Sequence, residues 1–327
     1  MNPVICVSFI IVNWNGRDLL PSCLESLRAQ SCQSFEVIVV DNGSSDDSVR
    51  FLHANFPEVN VVELYENRGF AGGNNAGLDH CRGKYIALLN NDAELHSDWL
   101  CHMLEAIETG EEVGFCSSRI FVKGGTTIDS VGDRFTTAFT GTKVGEGQDG
   151  GLYDSQLELH GICAASALYK KKMIEDVGFF DDDFFLNYED TDLNIRAWLR
   201  GWKCLYVPDA KVYHAVNSTI GRMSSTSVYF FSRNTFLSLV KNFPLRLILR
   251  QIPQRLFYEI CAFIYYAILN KRFFSYVRGK FDAIVLLPRF IGKRKDNVPF
   301  VRLSDSEIMA ELLPITSLFY QKFKDGF

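Results

Sequence analysis

The chain has 327 residues, 47% hydrophobic and 22% charged, with 34 Lys and Arg against 39 Asp and Glu, for a net charge of −5. This balance excludes a disordered chain, and the length admits one large α/β domain plus a smaller appendage. Nine scattered cysteines without a C-x-x-C pair argue against a secreted disulfide framework and for reduced thiols in the cytoplasm.

The first apolar run, residues 4–12, follows no basic stretch and stops at Asn13-Trp14-Asn15-Gly16, so it reads as a buried strand and not as a signal peptide. Residues 35–41, 59–64 and 84–89 are similar short β-branched runs. Helical patterns alternate with them. Arg17 to Gln30 places Leu19, Leu20, Cys23, Leu24 and Leu27 on one face, Ser45 to Phe56 opens on cap residues and stops at Pro57, and Gly72 to Cys81 and Ser97 to Thr109 follow. Continuous apolar strands alternating with helices predict a mostly parallel sheet covered on both faces, with ligands at the carboxyl ends of its strands. After the run 113–118 the Gly/Thr-rich stretch 124–151 reads as hairpin and loop, and 157–169 is apolar again. A helix is expected over 190–200, a strand pair over 203–207 and 211–214, and helices from about residue 226.

Charge divides the chain. Residues 1–240 carry 19 basic against 32 acidic side chains, whereas 241–295 carry 12 basic against only Glu259 and Asp282. Because the basic part is also rich in aromatic and aliphatic residues, it suits an anionic membrane surface better than nucleic acid. The apolar segment 256–269 is too short to span a bilayer, so the expected attachment is peripheral. Packing on the first part, or pairing in a homodimer, is the alternative.

Polar residues cluster at the ends of the apolar runs. Asp41-Asn42-Gly43-Ser44 closes the second; its carboxylate suits an imide or ribose donor, and an ordinary capped turn is the simpler reading. The stretch Asn67 to Gly77 lacks the Lys-Ser/Thr ending of a P-loop and the G-x-G-x-x-G spacing; its glycines either let a ligand approach the backbone or only form a loop. Asn90-Asn91-Asp92 closes the fourth run, where Asp92 is a hard oxygen ligand suited to Mg²⁺ or Mn²⁺, or else a helix cap. Glu189, Asp190 and Asp192 open a helix after an aromatic stretch, as complements to its dipole or as a source of a general base. His214 ends the last strand pattern, where a lone His is more often hydrogen-bonded than ligating.

Taken in order, Val7 to Asn15, Val39 to Ser44, Asn67 to Gly77, Asn90-Asn91-Asp92, Tyr188 to Leu193, Gly201-Trp202, Val207-Pro208, His214 and Arg233-Asn234 resemble the family 2 glycosyltransferases, in particular rhamnosyltransferase-like members. The resemblance implies a GT-A fold, Rossmann-like, over residues 1–240, followed by a helical region over 241–327. It implies that Asn13 and Asp41 line a nucleotide pocket together with Asn91, and that Asn67, Gly69 and Asn75 shape its sugar side. By the same resemblance, Asp92 takes the place of the metal-binding carboxylate and His214 that of the third protein ligand, while Asp190 is the general base with Glu189 beside it. Asn90 stands where relatives often carry the first Asp of D-x-D, which weakens the field around a cation. The implied reaction is inverting transfer of a sugar, rhamnose first, from a dTDP- or UDP-sugar to a glycan or lipid-linked acceptor at the inner face of the cell membrane. A nucleotidyltransferase would show a basic Gly-rich loop near its start, and a silent sugar-binding protein would lack Asp92 or Asp190.

Overall fold

The computed structural model describes residues 5–215 and 223–317. Val4, at the start of the first expected run, and the end of the expected helical region lie outside them. In chain order the strands are β1 (Val7–Asn13), β2 (Phe35–Asn42), β3 (Asn60–Leu64), β4 (Tyr85–Leu89), β5 (Ala93–Leu95), β6 (Val113–Val122), β7 (Ile128–Ser130), β8 (Asp133–Phe135), β9 (Gly141–Lys143), β10 (Glu158–Leu159), β11 (Ser166–Lys170) and β12 (Lys203–His214). The helices are α1 (Leu20–Arg28), α2 (Ser48–Asn55), α3 (Gly69–Leu78), α4 (Trp99–Ile107), α5 (Lys171–Val177), α6 (Glu189–Leu199), α7 (Ser225–Asn242), α8 (Leu245–Arg250), α9 (Ile252–Ala262), α10 (Phe273–Gly292) and α11 (Asp305–Glu311), with a π-helical continuation of α9 over Phe263–Leu269.

Strand order in the main sheet is β10-β12-β6-β11-β4-β1-β2-β3. The run β3-β2-β1-β4 is parallel, as the alternating pattern predicts, and β12 is parallel to β6. β11 inserts antiparallel between β4 and β6, and β5, β7 and β10 also join antiparallel, so the sheet as a whole is mixed. Side chains alternate across it: Val7, Phe9 and Ile11 pack with α1 and α4 on one face. Ile10, Ile38 and Val40 pack with α3, α5 and α6 on the other. The expected strand pair at 203–214 is one strand instead. Its pairing with β6 slips between Val207 and Lys211, around Pro208, which has no N–H for the ladder.

The helical region packs against this sheet domain, and α7 crosses the boundary drawn at residue 240. Within α6, Asp192 is fully buried and accepts from Arg196 Nε at 2.9 Å, Lys241 Nζ at 2.8 Å and Asn242 Nδ2 at 2.8 Å, which joins α6 to α7. On the far side of α7, Gly279 admits α10: a Cβ there would lie 2.0 Å from Ser232 Oγ and 2.5 Å from the Tyr229 carbonyl. His160 stacks on both Phe135 and Trp198, with ring centroids 5.3 and 4.7 Å away, and those two rings also touch each other. Its Nδ1 accepts from Phe135 N at 2.9 Å, which fixes the ring as neutral, and burial with nearby Arg134 pushes its pKa down to about 3.

Candidate active site

The parallel register brings Asn13 directly beside Asp41 at the carboxyl ends of β1 and β2. Both are buried. Asn13 Nδ2 donates to Asp41 Oδ2 at 3.3 Å, Asn91 Nδ2 donates to Asn13 Oδ1 at 2.9 Å, and Ser44 N donates to Asp41 Oδ1 at 2.9 Å. The loops after the two strands are stitched together. Asn15 N donates to Ser44 Oγ at 2.9 Å, and Ser45 N donates to Asn15 Oδ1 at 2.7 Å. These two strand ends thus form a braced polar wall at the edge of the sheet where α/β ligands bind.

Beyond β4, Asp92 and His214 meet. β12 pairs antiparallel with β5, which aligns His214 with Ala93, and the Asp92 carbonyl accepts from Ala215 N at 2.9 Å. His214 Nε2 lies 3.1 Å from Asp92 Oδ1, and its Nδ1 lies 3.0 Å from Oδ2 of Asp129, a buried carboxylate in β7. Lys143 Nζ reaches the other Asp129 oxygen at 3.3 Å. Burial alone would lower the imidazole pKa, but hydrogen bonds to Asp129 and Asp92 outweigh it and raise it to about 9. The Asn90 amide lies 3.5 Å from the same Nε2.

Carboxylate oxygen, imidazole nitrogen and amide oxygen are donors that suit Mg²⁺ or Mn²⁺, and a carboxylate on the far ring nitrogen is the support a ligating His needs. No group of three His, Cys, Asp or Glu side chains forms a metal cluster among the described residues. Asp92, His214 and Asn90 offer donors whose chemistry fits such a cation.

Glu189 and Asp190 open α6 after a contorted approach. Phe185, Asn187 and Tyr188 have φ of 63°, 62° and 78°, costly for bulky residues. Two side chains of α7 hold that approach in place. Asn234 Nδ2 donates to the carbonyls of Phe184, Leu186 and Asn187 at 2.9, 3.0 and 2.6 Å, and Arg233 Nη2 donates to those of Asp183 and Phe184.

Asp190 accepts from Thr191 N at 2.7 Å and Ala164 N at 3.3 Å. The next carbonyl, that of Ala165, accepts from Asn90 N at 2.9 Å. One dipeptide therefore joins the expected base to the expected metal motif. Burial raises the Asp190 pKa above the usual carboxylate range, and raises that of Glu189 further, helped by repulsion from Asp190. Glu189 Oε2 is buried without a hydrogen-bond partner. Asp133, buried in β8, is pushed up to about 7 by burial and by Asp190.

The glycine-rich stretch is not an open loop: Gly69 to Leu78 is helical. Gly73 and Gly77 let α3 lie close on the sheet, since a Cβ would come within 2.8 Å of Val12 Cγ1 and 2.6 Å of Ile10 Cγ2. Gly69 alone in this helix has positive φ (+72°), and a Cβ there would meet the Phe185 carbonyl oxygen at 2.2 Å. Asn67 Oδ1 accepts from Asn42 Nδ2 at 3.1 Å and Gly69 N at 2.8 Å. Asn75 Nδ2 donates to Asp182 Oδ1 at 2.6 Å and to the Phe180 carbonyl. Gly69 and Asn75 thus fit α3 to the approach to Asp190, while Asn67 ties the start of α3 to the end of β2.

The structure gathers Asn13, Asp41, Asn91, Asn90, Asp92, His214 and Asp190 at one edge of the sheet and adds Asp129, Asp133 and Lys143 from the 124–151 stretch. A crevice of about 450 Å³ lined by Lys84, Lys170, Lys171 and Lys172 lies at the opposite ends of β4 and β11.

Residues 8–178 match the family described as glycosyl transferase family 2. The chain is 25% identical over 221 residues to the poly-beta-1,6-N-acetyl-D-glucosamine synthase of Staphylococcus aureus, an alignment covering 66% of this chain and 51% of that one, so it spans about half the length of that relative. Its fold is similar to that of S. aureus TarS 1–349, solved in complex with UDP (TM-score 0.55, 14% identity, 91% of this chain and 89% of that one). It is also similar to mannosyltransferase PcManGT from Pyrobaculum calidifontis, solved with GDP-Man and Mn²⁺ (TM-score 0.53, 17% identity, 90% and 85%).

Proposed function

Given that the chain belongs to glycosyl transferase family 2, we propose that it transfers a sugar from a nucleoside diphosphate donor to a hydroxyl of a glycan or lipid-linked glycan, with inversion, in cell-surface polysaccharide synthesis. The observation that carries this reading is the Ala164–Ala165 dipeptide, which holds Asp190 by an N–H and Asn90 by a carbonyl. A proton acceptor and a diphosphate-side site are then held at a set spacing.

Asp190 takes the proton of the acceptor hydroxyl, and its raised pKa makes it a stronger base for that proton than an ordinary carboxylate. The braced wall of Asn13, Asp41 and Asn91 orients the base and ribose of the donor. Asp92, His214 and Asn90 would hold Mg²⁺ or Mn²⁺, which when bound supplies charge neutralisation at the diphosphate leaving group. Lys143, beside Asp129, adds positive charge to the same side. Attack from the Asp190 side, opposite the departing diphosphate, inverts the anomeric centre without a covalent enzyme intermediate.

The rhamnosyltransferase-like sequence pattern makes dTDP-rhamnose the first donor to try, followed by UDP-sugars. Purified protein incubated with a donor panel, Mn²⁺ and acceptor should release nucleoside diphosphate in an acceptor-dependent manner. Absence of release across the panel, together with absence of donor binding by calorimetry, would overturn the reading.

A further inference from the structure

Among the described residues, 21 large hydrophobic side chains are exposed, and 17 of them lie at or after Leu245. This third of the chain carries the surface that the sugar-transfer site leaves unexplained. α9 and its π-helical continuation form one 18-residue rod, Ile252 to Leu269, which turns at Asn270 into the 20-residue α10. The inner faces pack on the body through Tyr258, Ala262, Ala267, Tyr276 and Ala283. Outward, the first rod carries Leu256, Ile260, Ile264 and Ile268 at intervals of four, and α10 carries Phe274, Val277, Phe281, Ile284 and Ile291 at intervals of three, four or seven. Every exposed residue between Gln251 and Asn270 is apolar.

The charges are sorted as well. The only acids from 245 to 292 are Glu259 and Asp282, and neither is exposed. Glu259 is turned inward between Arg255 Nη2 at 2.5 Å and Lys280 Nζ at 2.7 Å, and Asp282 accepts from Tyr229 Oη at 2.7 Å. Arg255 and Lys280, which the sequence places among the basic flanks of the apolar segment, are therefore spent within the fold. The exposed charges are cations: Arg250 and Lys271, together with Arg246, Arg278 and Arg289, which pair with the partly buried Asp305, Asp282 and Asp183.

An apolar face whose exposed charges are all cations, on two rods about 30 Å long, matches a helical hairpin lying flat at an anionic headgroup layer. No helix among the described residues is long and apolar enough to cross a membrane. A second copy is a poorer occupant, because a two-fold contact would set this cationic border against its own image. We propose that the outward face of the 252–292 hairpin is an in-plane anchor that docks the protein on an anionic lipid bilayer. α7, which packs on α10, fastens the approach to Asp190 through Arg233 and Asn234, and Phe290 of α10 packs on Phe184 of the same approach, so the anchor is joined to the acceptor side of the site. The anchor stands independently of the sugar-transfer reading.

The test is flotation of the full chain with vesicles of phosphatidylcholine containing about one-third phosphatidylglycerol, at low and high salt. The wild type should float with anionic vesicles at low salt and be released by salt. Ile260→Glu combined with Ile264→Glu should lower partitioning at least about 100-fold, since two apolar contacts are lost and two charges must be desolvated. Both positions are exposed, so circular dichroism and nucleotide binding should be unchanged. Arg250→Glu with Lys271→Glu should weaken binding to anionic vesicles and leave the weak binding to pure phosphatidylcholine as it was. Failure of the wild type to float, equal flotation of the Ile260/Ile264 variant, or a dimer by light scattering that this variant converts to monomer would each overturn the proposal.

Discussion

Replacing Asp190 with Asn removes the proposed proton acceptor while keeping the shape of the side chain. The native carboxylate holds Thr191 N at 2.7 Å and Thr191 Oγ1 at 3.3 Å on one oxygen, and Ala164 N at 3.3 Å on the other. An amide that keeps its oxygen on Thr191 turns its NH₂ toward the Ala164 N–H, and the bond lost there costs about 0.5–1.5 kcal/mol. A compensating gain opposes it. Burial raises the folded pKa of Asp190 above its unfolded value, so the ionised group costs the native state stability once pH exceeds that folded pKa, and Asn lifts this cost at neutral pH. The melting temperature should therefore shift little. Turnover should fall about 10²–10⁴-fold, or ~2.7–5.4 kcal/mol of barrier, the usual loss on removing a general base. The assay is acceptor-dependent release of nucleoside diphosphate, with donor affinity measured in parallel by calorimetry. Wild-type turnover by a folded Asp190→Asn protein refutes the assignment.

Asp92→Ala should abolish stimulation by Mn²⁺ and weaken donor binding, because His214 and Asn90 are then the only candidate ligands left; a manganese titration indistinguishable from wild type would refute it. Gly69→Ala should destabilise the protein by at least about 2 kcal/mol, since positive φ and a clash with the Phe185 carbonyl add together; the urea midpoint measures it. His160 is buried neutral with its pKa lowered to about 3, so its share of stability is full above the unfolded value near 6.5 and is lost as pH falls from there toward about 3, by up to ~1.4 kcal/mol per unit. Glu311, 3.5 Å from Nε2, is half exposed and also accepts from Trp198 Nε1, so burial prevails over this pair; urea midpoints at pH 7 and 5 should differ more for wild type than for His160→Asn.

The alternation of apolar strands and amphipathic helices was legible over residues 7–107 because each element's pattern is local: an apolar run such as 84–89 ending in Asn90-Asn91-Asp92 states both a buried strand and a polar end. What was not legible is tertiary. Asp129, Asp133 and Lys143 lie in a Gly/Thr-rich stretch with no spacing that ties them to His214 or Asp190; only the pairing of β7 with β6 and of β8 with β9 carries them into the site. The helix expected from Gly72 is there, but its glycines left open whether they serve a ligand or a loop, and the close approach to Val12 and Ile10 that favours them appears only with the sheet in place. Asp192 belongs to the same acidic triplet as Asp190, yet two residues further along the helix it is turned inward onto Lys241 and Arg196.

The dipeptide Ala164–Ala165 acts as a gauge block for the reaction. With Asp190 on the N–H of Ala164 and Asn90 on the carbonyl of Ala165, the separation between the proposed proton acceptor and the proposed leaving-group side is set by two residues at the head of a buried strand. Such a spacing does not stretch to suit a larger sugar or a different hydroxyl. Changes of substrate within this architecture must be made around the gauge, in the 124–151 segment and the approach to Asp190, while the distance that defines the chemistry stays constant.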